Sequence, residues 1–155
     1  MGYSFTIGKA AVEATTDYSP AKCFDSLQPT VEPCEGNPEE IHRDEWDCET
    51  GPTRLPSYST WAGVLKACPA LGGCFEGMQQ WYRQSIGNNG DHSGAHFWIP
   101  IRTYADTLPM IEIEAEKCSE EVKARALWFV RWSRHALRLY GDLAAFATPG
   151  EWEGR

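Results

Sequence analysis

The pattern of hydrophobic and polar residues predicts three short strands in this chain. Residues 3–7 (YSFTI) alternate aromatic or apolar side chains with hydroxyl side chains, which is the period of a half-buried strand. Residues 96–101 (HFWIPI) predict a second strand, which Pro100 limits to a sheet edge or a strand end because proline has no amide hydrogen. The residues after Pro109, MIEIEAE, alternate apolar and acidic side chains and predict a third strand.

At helical spacing the same pattern predicts two helices. Residues 57–68 begin with hydroxyl side chains suited to an N-cap, and Pro69 with the glycine pair after it predicts the end of this helix. The following FEGMQQWYRQSI offers one or two further helical turns. A much longer helix begins after Ser119, because two glutamates follow this N-cap residue and suit the positive end of a helix dipole. Its apolar positions recur as far as Phe146, and the sequence Thr-Pro-Gly then predicts its end.

The middle of this long helix, residues 127–132, is apolar around nearly its whole circumference. Such a segment lies at the centre of a fold or is covered by a second copy of the chain. Because the predicted strands are short and few, we expect a homo-oligomer, with the helix at or near a homodimer interface. The 155 residues are most simply one domain of the α+β class, with a small antiparallel sheet packed against a long C-terminal helix.

A long acidic segment separates the first strand from the first helix. Residues 19–56 contain six prolines and little periodicity, which predicts a loop with one short turn near residues 41–46. Within this loop, residues 32–49 hold eight acidic side chains against one base, and the whole chain has a net charge of −8. These acids form either a partner surface or a solvated loop. In both cases they repel duplex nucleic acid, which we therefore do not expect as a partner.

The cysteines bear on the expected compartment. The sequence has neither an apolar run long enough to cross a bilayer nor a charged-then-apolar leader, so we expect a cytoplasmic protein that does not bind membranes. Cytoplasmic thiols are kept reduced, and we expect thiols at all six cysteines. They are Cys23, Cys34, Cys48, Cys68, Cys74 and Cys118.

Two histidines stand four residues apart in the glycine-rich segment GNNGDHSGAHFWIPI, residues 87–101. On one strand His92 and His96 would lie about 13 Å apart, too far to share a metal, and the glycines argue against a helix. We interpret the segment as a turn that leads into the second strand, without bound zinc. The alternative is a zinc site, because Cys68 and Cys74 precede the pair with the spacing C-x5-C-x17-H-x3-H.

A stripe of cations follows the long helix. At 100° per residue its four members fall within about 80° of arc, and they are Lys123, Arg131, Arg134 and Arg138. Arginine binds phosphate or carboxylate with two hydrogen bonds, so the stripe predicts a site for a nucleotide-like anion or an acidic protein. Nearby aromatic residues are expected to line a groove beside it, namely Trp81, Tyr82 and Trp98. The alternative is that the stripe pairs within the chain, with the acids of residues 32–49 or with Glu112, Glu114 and Glu116.

The sequence contains no nucleophile elbow, phosphate loop or nucleotide fingerprint, so we favour a non-enzymatic protein without a cofactor. Three blocks, MGYSFTIG at the start, PSYSTW at residues 56–61 and RALWFVRW at residues 125–132, resemble small accessory proteins of tailed bacteriophages. The resemblance implies a counter-defence or accessory factor that binds a host protein or an anionic nucleotide-like ligand in the bacterial cytoplasm. A zinc-stabilised module or metal-dependent enzyme, built on the two cysteines and two histidines above, remains the alternative.

Overall fold

A computed structural model of the chain describes residues 4–10, 24–25, 31–36, 38, 51–86 and 96–149. These residues form one antiparallel sheet and four helices, which confirms the α+β class and the packing of a long helix on a small sheet. The strands are β1 (Phe5–Ala10), β2 (Phe24–Asp25), β3 (Val31–Pro33), β4 (Thr53–Arg54), β5 (His96–Pro100) and β6 (Ala144–Pro149). The helices are α1 (Tyr58–Ala67), α2 (Pro69–Ile86), α3 (Leu108–Ala115) and α4 (Glu120–Tyr140).

The sheet has the order β2-β5-β6-β1-β3, and β4 also pairs with β1. Its central strand, β6, comes from the C-terminal end of the described residues and places Phe146 opposite both Ile7 and Ile99. These three side chains belong to one buried core, on the face of the sheet that α4 covers. The predicted strand at residues 96–101 is confirmed as β5, where Pro100 stands at the strand end, but β5 is not the edge of the sheet because β2 pairs with it.

Helices α1 and α2 follow one another more closely than the sequence suggests. The Ser57 hydroxyl caps α1 by accepting the amide hydrogen of Thr60, as expected. Pro69 does not end helical structure, however, because it occupies the start of α2, where proline has no hydrogen bond to lose. Gly72 lies inside α2, and a side-chain carbon there would approach the carbonyl oxygen of Leu65 to 2.8 Å. Close packing of the two helices therefore requires this glycine.

The predicted strand after Pro109 is wrong, because these residues form α3. Proline is accommodated in the first turn of a helix, and the buried side chains of α3 recur three and four residues apart. They are Leu108, Ile111 and Ala115. Met110 and Ile113 instead lie on the exposed side of the helix. In so short a segment, alternation of apolar and acidic residues fits a strand and a helix equally well.

Helix α4 begins at the predicted position but ends earlier than predicted. The Ser119 hydroxyl accepts the amide hydrogen of Val122 at 3.3 Å, which confirms the N-cap. The helix ends at Tyr140 rather than near Phe146, because Gly141 adopts a φ of 56° and turns the chain into β6. Phe146 therefore contributes to the core from the central strand and not from the helix.

The apolar segment of α4 is buried within one chain. Helix α4 packs against β1 and β6 on one side and against α1 and α3 on the other. Around Phe5 the aromatic rings meet at centroid distances of 5.1–6.4 Å, and these rings belong to Trp61, Phe75, Trp128 and Phe146. The strands and helices of a single chain thus cover residues 127–132, and this segment gives no reason for a dimer.

The expected loop at residues 19–56 contains more regular structure than predicted. Strands β2, β3 and β4 fall within it, and both β3 and β4 pair with β1. Pairing to an existing strand stabilises such short segments, which have little periodicity of their own. The predicted turns at residues 41–46 and 87–95 lie outside the described residues. Among the helices of the described chain, none has the length and apolar character needed to span a membrane.

Candidate functional site

Two arginines of α4 bind one carboxylate of α3. Arg134 Nη1 donates to Glu112 Oε1 at 3.0 Å, and Arg131 Nη2 lies 3.6 Å from Glu112 Oε2. All three side chains are partly exposed, with fractions between 23% and 32%. The carboxylate therefore sits between two guanidinium groups at the surface where α3 packs on α4.

The other two members of the predicted stripe differ from this pair. Lys123 Nζ lies 2.6 Å from Glu116 Oε1, and this hydrogen bond raises the pKa of Lys123. Arg138 is exposed, and within the described residues it has no ion-pair partner. Three of the four cations thus pair with Glu112 or Glu116, so the intramolecular alternative holds for them. Glu114, the third carboxylate named in that alternative, contacts Cys68 and the first turn of α2 instead.

The outer side of α3 exposes apolar side chains beside these ion pairs. Met110 is 52% exposed and Ile113 is 54% exposed, and they lie one helical turn apart. Pro109 is exposed on the same side of the helix. We call these three residues the α3 face. Only two other large apolar residues of the described chain are exposed to a similar degree. They are Leu55, which follows β4, and Leu139, which lies on α4.

The aromatic residues predicted to line a groove are not brought to the stripe as a group. Trp98 lies on β5 with its side chain on the face of the sheet opposite α4, where it is buried with small side chains. These neighbours are Ala10, Val31, Ala145 and Ala147. Trp81 and Tyr82 belong to α2, and their side chains lie outside the described part of the structure. Trp98 therefore cannot stack on a ligand held by the arginines.

The structure places the two cysteines of the zinc alternative in separate buried positions. Cys68 follows α1, and its Sγ contacts the Ile111 carbonyl and the Glu114 carboxylate of α3. Cys74 lies within α2, and burial raises its pKa to about 12. His96 is in β5 with its side chain outside the described residues, as is all of His92. Among the described side chains, no group of three metal-ligating residues has the spacing of a metal site.

A cluster that sequence reasoning missed joins three elements around Glu114. Its Oε1 accepts the amide hydrogen of Ala70, in the first turn of α2, at 2.7 Å and lies 3.8 Å from Cys68 Sγ. Cys118 Sγ lies 3.3 Å from the Glu114 carbonyl oxygen and 3.4 Å from the Ala67 carbonyl oxygen. The two thiols come from positions 50 residues apart, so no local pattern could bring them together. We call Cys68, Glu114 and Cys118 the thiol cluster.

A second polar cluster fixes the end of β3 to the end of α4. The Glu35 amide donates to Tyr140 Oη at 3.1 Å, and His135 Nε2 donates to the Glu35 carbonyl oxygen at 2.9 Å. Because a carbonyl oxygen only accepts, Nε2 of His135 carries the hydrogen. Burial raises the pKa of the adjacent Cys34 thiol, which keeps it protonated at neutral pH. A protonated buried thiol is a poor nucleophile.

The four described cysteines are free, namely Cys34, Cys68, Cys74 and Cys118. Cys23 and Cys48 lie outside the described residues. Burial raises the pKa of three of these thiols, Cys34, Cys68 and Cys74. The fourth described thiol, Cys118, is partly exposed. No known protein family matches this chain, and neither the curated proteins nor the solved structures contain a match to it.

Proposed function

We propose that this protein is a non-enzymatic binding protein of the phage accessory type, and that it binds a host protein through the α3 face. One observation carries the proposal: Met110 and Ile113 are both more than half exposed, one turn apart on the same helix. Single exposed apolar residues are common on protein surfaces, but a pair on one turn forms a ridge that a partner can cover.

The surroundings of the ridge support a protein partner. Arg131 and Arg134 belong to α4 and lie beside α3, where their ion pairs with Glu112 hold them in place. Methionine and arginine are enriched in protein interfaces, and binding energy is concentrated in a few such side chains surrounded by polar ones. Burial of the two apolar side chains contributes roughly 25 cal/mol for each Å² removed from water.

A nucleotide-like anion has weaker support as the ligand. The Glu112 carboxylate already binds both Arg131 and Arg134, so a phosphate would have to displace it. Trp98, which was expected to line a groove beside the cation stripe, is buried on the far face of the sheet. A protein can instead bind the α3 face and leave these ion pairs intact. The arginines then contribute to the rim of the interface and not to its centre.

The proposal is tested by affinity capture from a bacterial lysate, followed by titration of the captured protein in purified form. We expect the wild-type chain to bind the partner and the Met110→Ser/Ile113→Ser double variant to lose at least about tenfold in affinity. Leu139→Ser is the matched control, because Leu139 is 50% exposed but lies on α4. It should bind like the wild type. Equal binding by the double variant, or equal loss in the control, would exclude the α3 face.

Calorimetric titration with nucleotides separates the two ligand classes. We expect no heat of binding from mono-, di- or trinucleotides. Saturable binding that Arg134→Ala and Arg138→Ala both abolish would favour an anion site on α4. In that case the α3 face would not be the main binding surface.

A further inference from the structure

The thiol cluster holds two sulfurs around the last turn of α3. Cys118 Sγ is 3.4 Å from the carbonyl oxygen of Ala67, which is the residue bonded to Cys68. Cys68 Sγ contacts the Ile111 carbonyl, one turn before the Glu114 carbonyl that Cys118 contacts. Both side chains therefore lie against α3, and Cys118 Sγ also contacts the peptide bond that links Ala67 to Cys68. A disulfide requires cysteines that are close neighbours in space, and the two sulfurs contact carbonyl oxygens three residues apart on α3.

We propose that Cys68 and Cys118 form an oxidisable dithiol pair, in which hydrogen peroxide converts the two thiols into one disulfide. The pair would join the end of α1 to the connection between α3 and α4. Its two members differ in access: Cys118 is partly exposed, whereas Cys68 is fully buried. Oxidation therefore begins at Cys118, because peroxide reaches an accessible sulfur first.

The chemistry needs two steps and one equivalent of peroxide. In the first step, the Cys118 thiol releases its proton and the thiolate attacks a peroxide oxygen. The O–O bond breaks, a sulfenic acid forms, and the leaving hydroxide takes up the released proton to give the first water. In the second step, Cys68 Sγ attacks Cys118 Sγ, an S–S bond forms, and hydroxide leaves and is protonated to a second water. Two thiols are oxidised to one disulfide while one hydrogen peroxide is reduced to two waters.

Glu114 is placed to take the proton released in the second step. Its Oε1 lies 3.8 Å from Cys68 Sγ and is fixed by the hydrogen bond from the Ala70 amide. Burial, with smaller contributions from Cys118 and Glu114, raises the pKa of Cys68 to about 11, so this thiol is protonated before the reaction. A nearby carboxylate accelerates attack by such a thiol, because it accepts the proton as the S–S bond forms. Glu114 is thus a positioning and proton-accepting residue for the pair.

The test treats the purified full chain with hydrogen peroxide and maps its disulfides by peptide mass spectrometry. We expect one cross-linked peptide pair that contains Cys68 and Cys118, lighter by two hydrogens than the two thiol peptides, and its loss on addition of dithiothreitol. Because Cys68 is fully buried, the variant used is Cys118→Ser, in which Cys68 should remain a thiol. Sulfinic acid at Cys118 with Cys68 still free, or a disulfide to any other cysteine, would overturn the proposal.

The role of Glu114 is tested by the pH dependence of disulfide closure. Glu114→Gln preserves an oxygen that accepts from the Ala70 amide but removes the carboxylate. We expect closure at neutral pH to slow by about tenfold or more, and to recover as the pH rises and the Cys68 thiol ionises. Glu112→Gln is the matched control, because Glu112 lies on the same helix and its carboxylate binds Arg131 and Arg134. Equal rates and equal pH profiles in the two variants would remove Glu114 from the mechanism.

Discussion

The two isoleucines of α3 have the same side chain and opposite environments. Ile111 is fully buried against the core, whereas Ile113, two residues further along, is 54% exposed. The neighbouring carboxylates diverge in the same way, since Glu112 binds arginines of α4 and Glu114 caps α2. Residues two positions apart on a helix are rotated by about 200° around its axis, so they face nearly opposite sides. The inner side of α3 holds the fold together, and the outer side is available for a partner.

The largest expected change in the free energy of unfolding comes from the inner side of α3. Ile111→Ala should lower the free energy of unfolding by about 2–5 kcal/mol, because it leaves a cavity that the surrounding core cannot fill. The same substitution at Ile113 should change it by less than about 0.5 kcal/mol, since the side chain is already half in water. Urea denaturation of both variants measures the difference directly. Similar losses at the two positions would mean that the outer side is also part of the core.

The next effect concerns the carboxylate that caps α2. Glu114→Ala should lower the free energy of unfolding by about 1–3 kcal/mol, because it removes a hydrogen bond between a charged oxygen and the Ala70 amide. Glu114→Gln should recover much of this loss in the same denaturation experiment. If glutamine is no better than alanine, the Ala70 contact does not account for the role of Glu114 in stability.

Stability should also fall at alkaline pH because of the Cys68 thiol, which packs against the inner side of α3. The pKa of Cys68 is about 11 in the folded chain, above the ordinary value near 9. Below pH 9 the thiol is protonated in both states and the stabilisation is fully present. Between pH 9 and 11 the unfolded chain releases this proton first, so the free energy of unfolding decreases. Denaturation across this range should show a shallower decrease in Cys68→Ala than in the wild type, and parallel curves would contradict the assignment.

A smaller effect is expected from the carboxylate that faces α4. Glu112→Ala should lower the free energy of unfolding by about 1 kcal/mol or less, because its ion pairs with Arg131 and Arg134 are partly exposed. Added salt screens such pairs, so the difference from the wild type should shrink at high ionic strength. The loss in Glu114→Ala should respond less to salt. A salt-independent loss at Glu112 would show that its role is not mainly electrostatic.

Local signals made part of the fold predictable from the sequence. Ser57 and Ser119 were expected as N-caps and are N-caps, because a hydroxyl before a helix acts on the amides directly after it. Strand β1 was also expected, since the alternation of apolar and polar side chains that marks it spans only a few residues. Helix α3 was missed because the apolar residues of MIEIEAE fit both the two-residue period of a strand and the 3.6-residue period of a helix. The end of α4 was misplaced because Phe146 continues the apolar pattern into a strand, and only Gly141 marks the change.

The candidate sites depend on contacts that no local pattern contains. The sequence predicted the cation stripe and left its pairing open, since the partners of Arg131 and Arg134 could be identified only when α3 was known to be a helix. The sequence predicts thiols at Cys68 and Cys118 but does not predict that they are neighbours, because only the folded topology brings them together. The α3 face was hidden by the strand prediction, because Met110 and Ile113 lie on opposite faces of a strand and come to one side only when these residues form a helix.

Hydrogen exchange tests most directly whether the outer side of α3 binds a protein partner. The wild-type chain is compared alone and in complex with the protein isolated by capture. We expect exchange of the amides at residues 108–117 to slow on binding, while exchange around Leu55 and Leu139 stays the same. Unchanged exchange at residues 108–117, with slowing at any other surface, would contradict the claim.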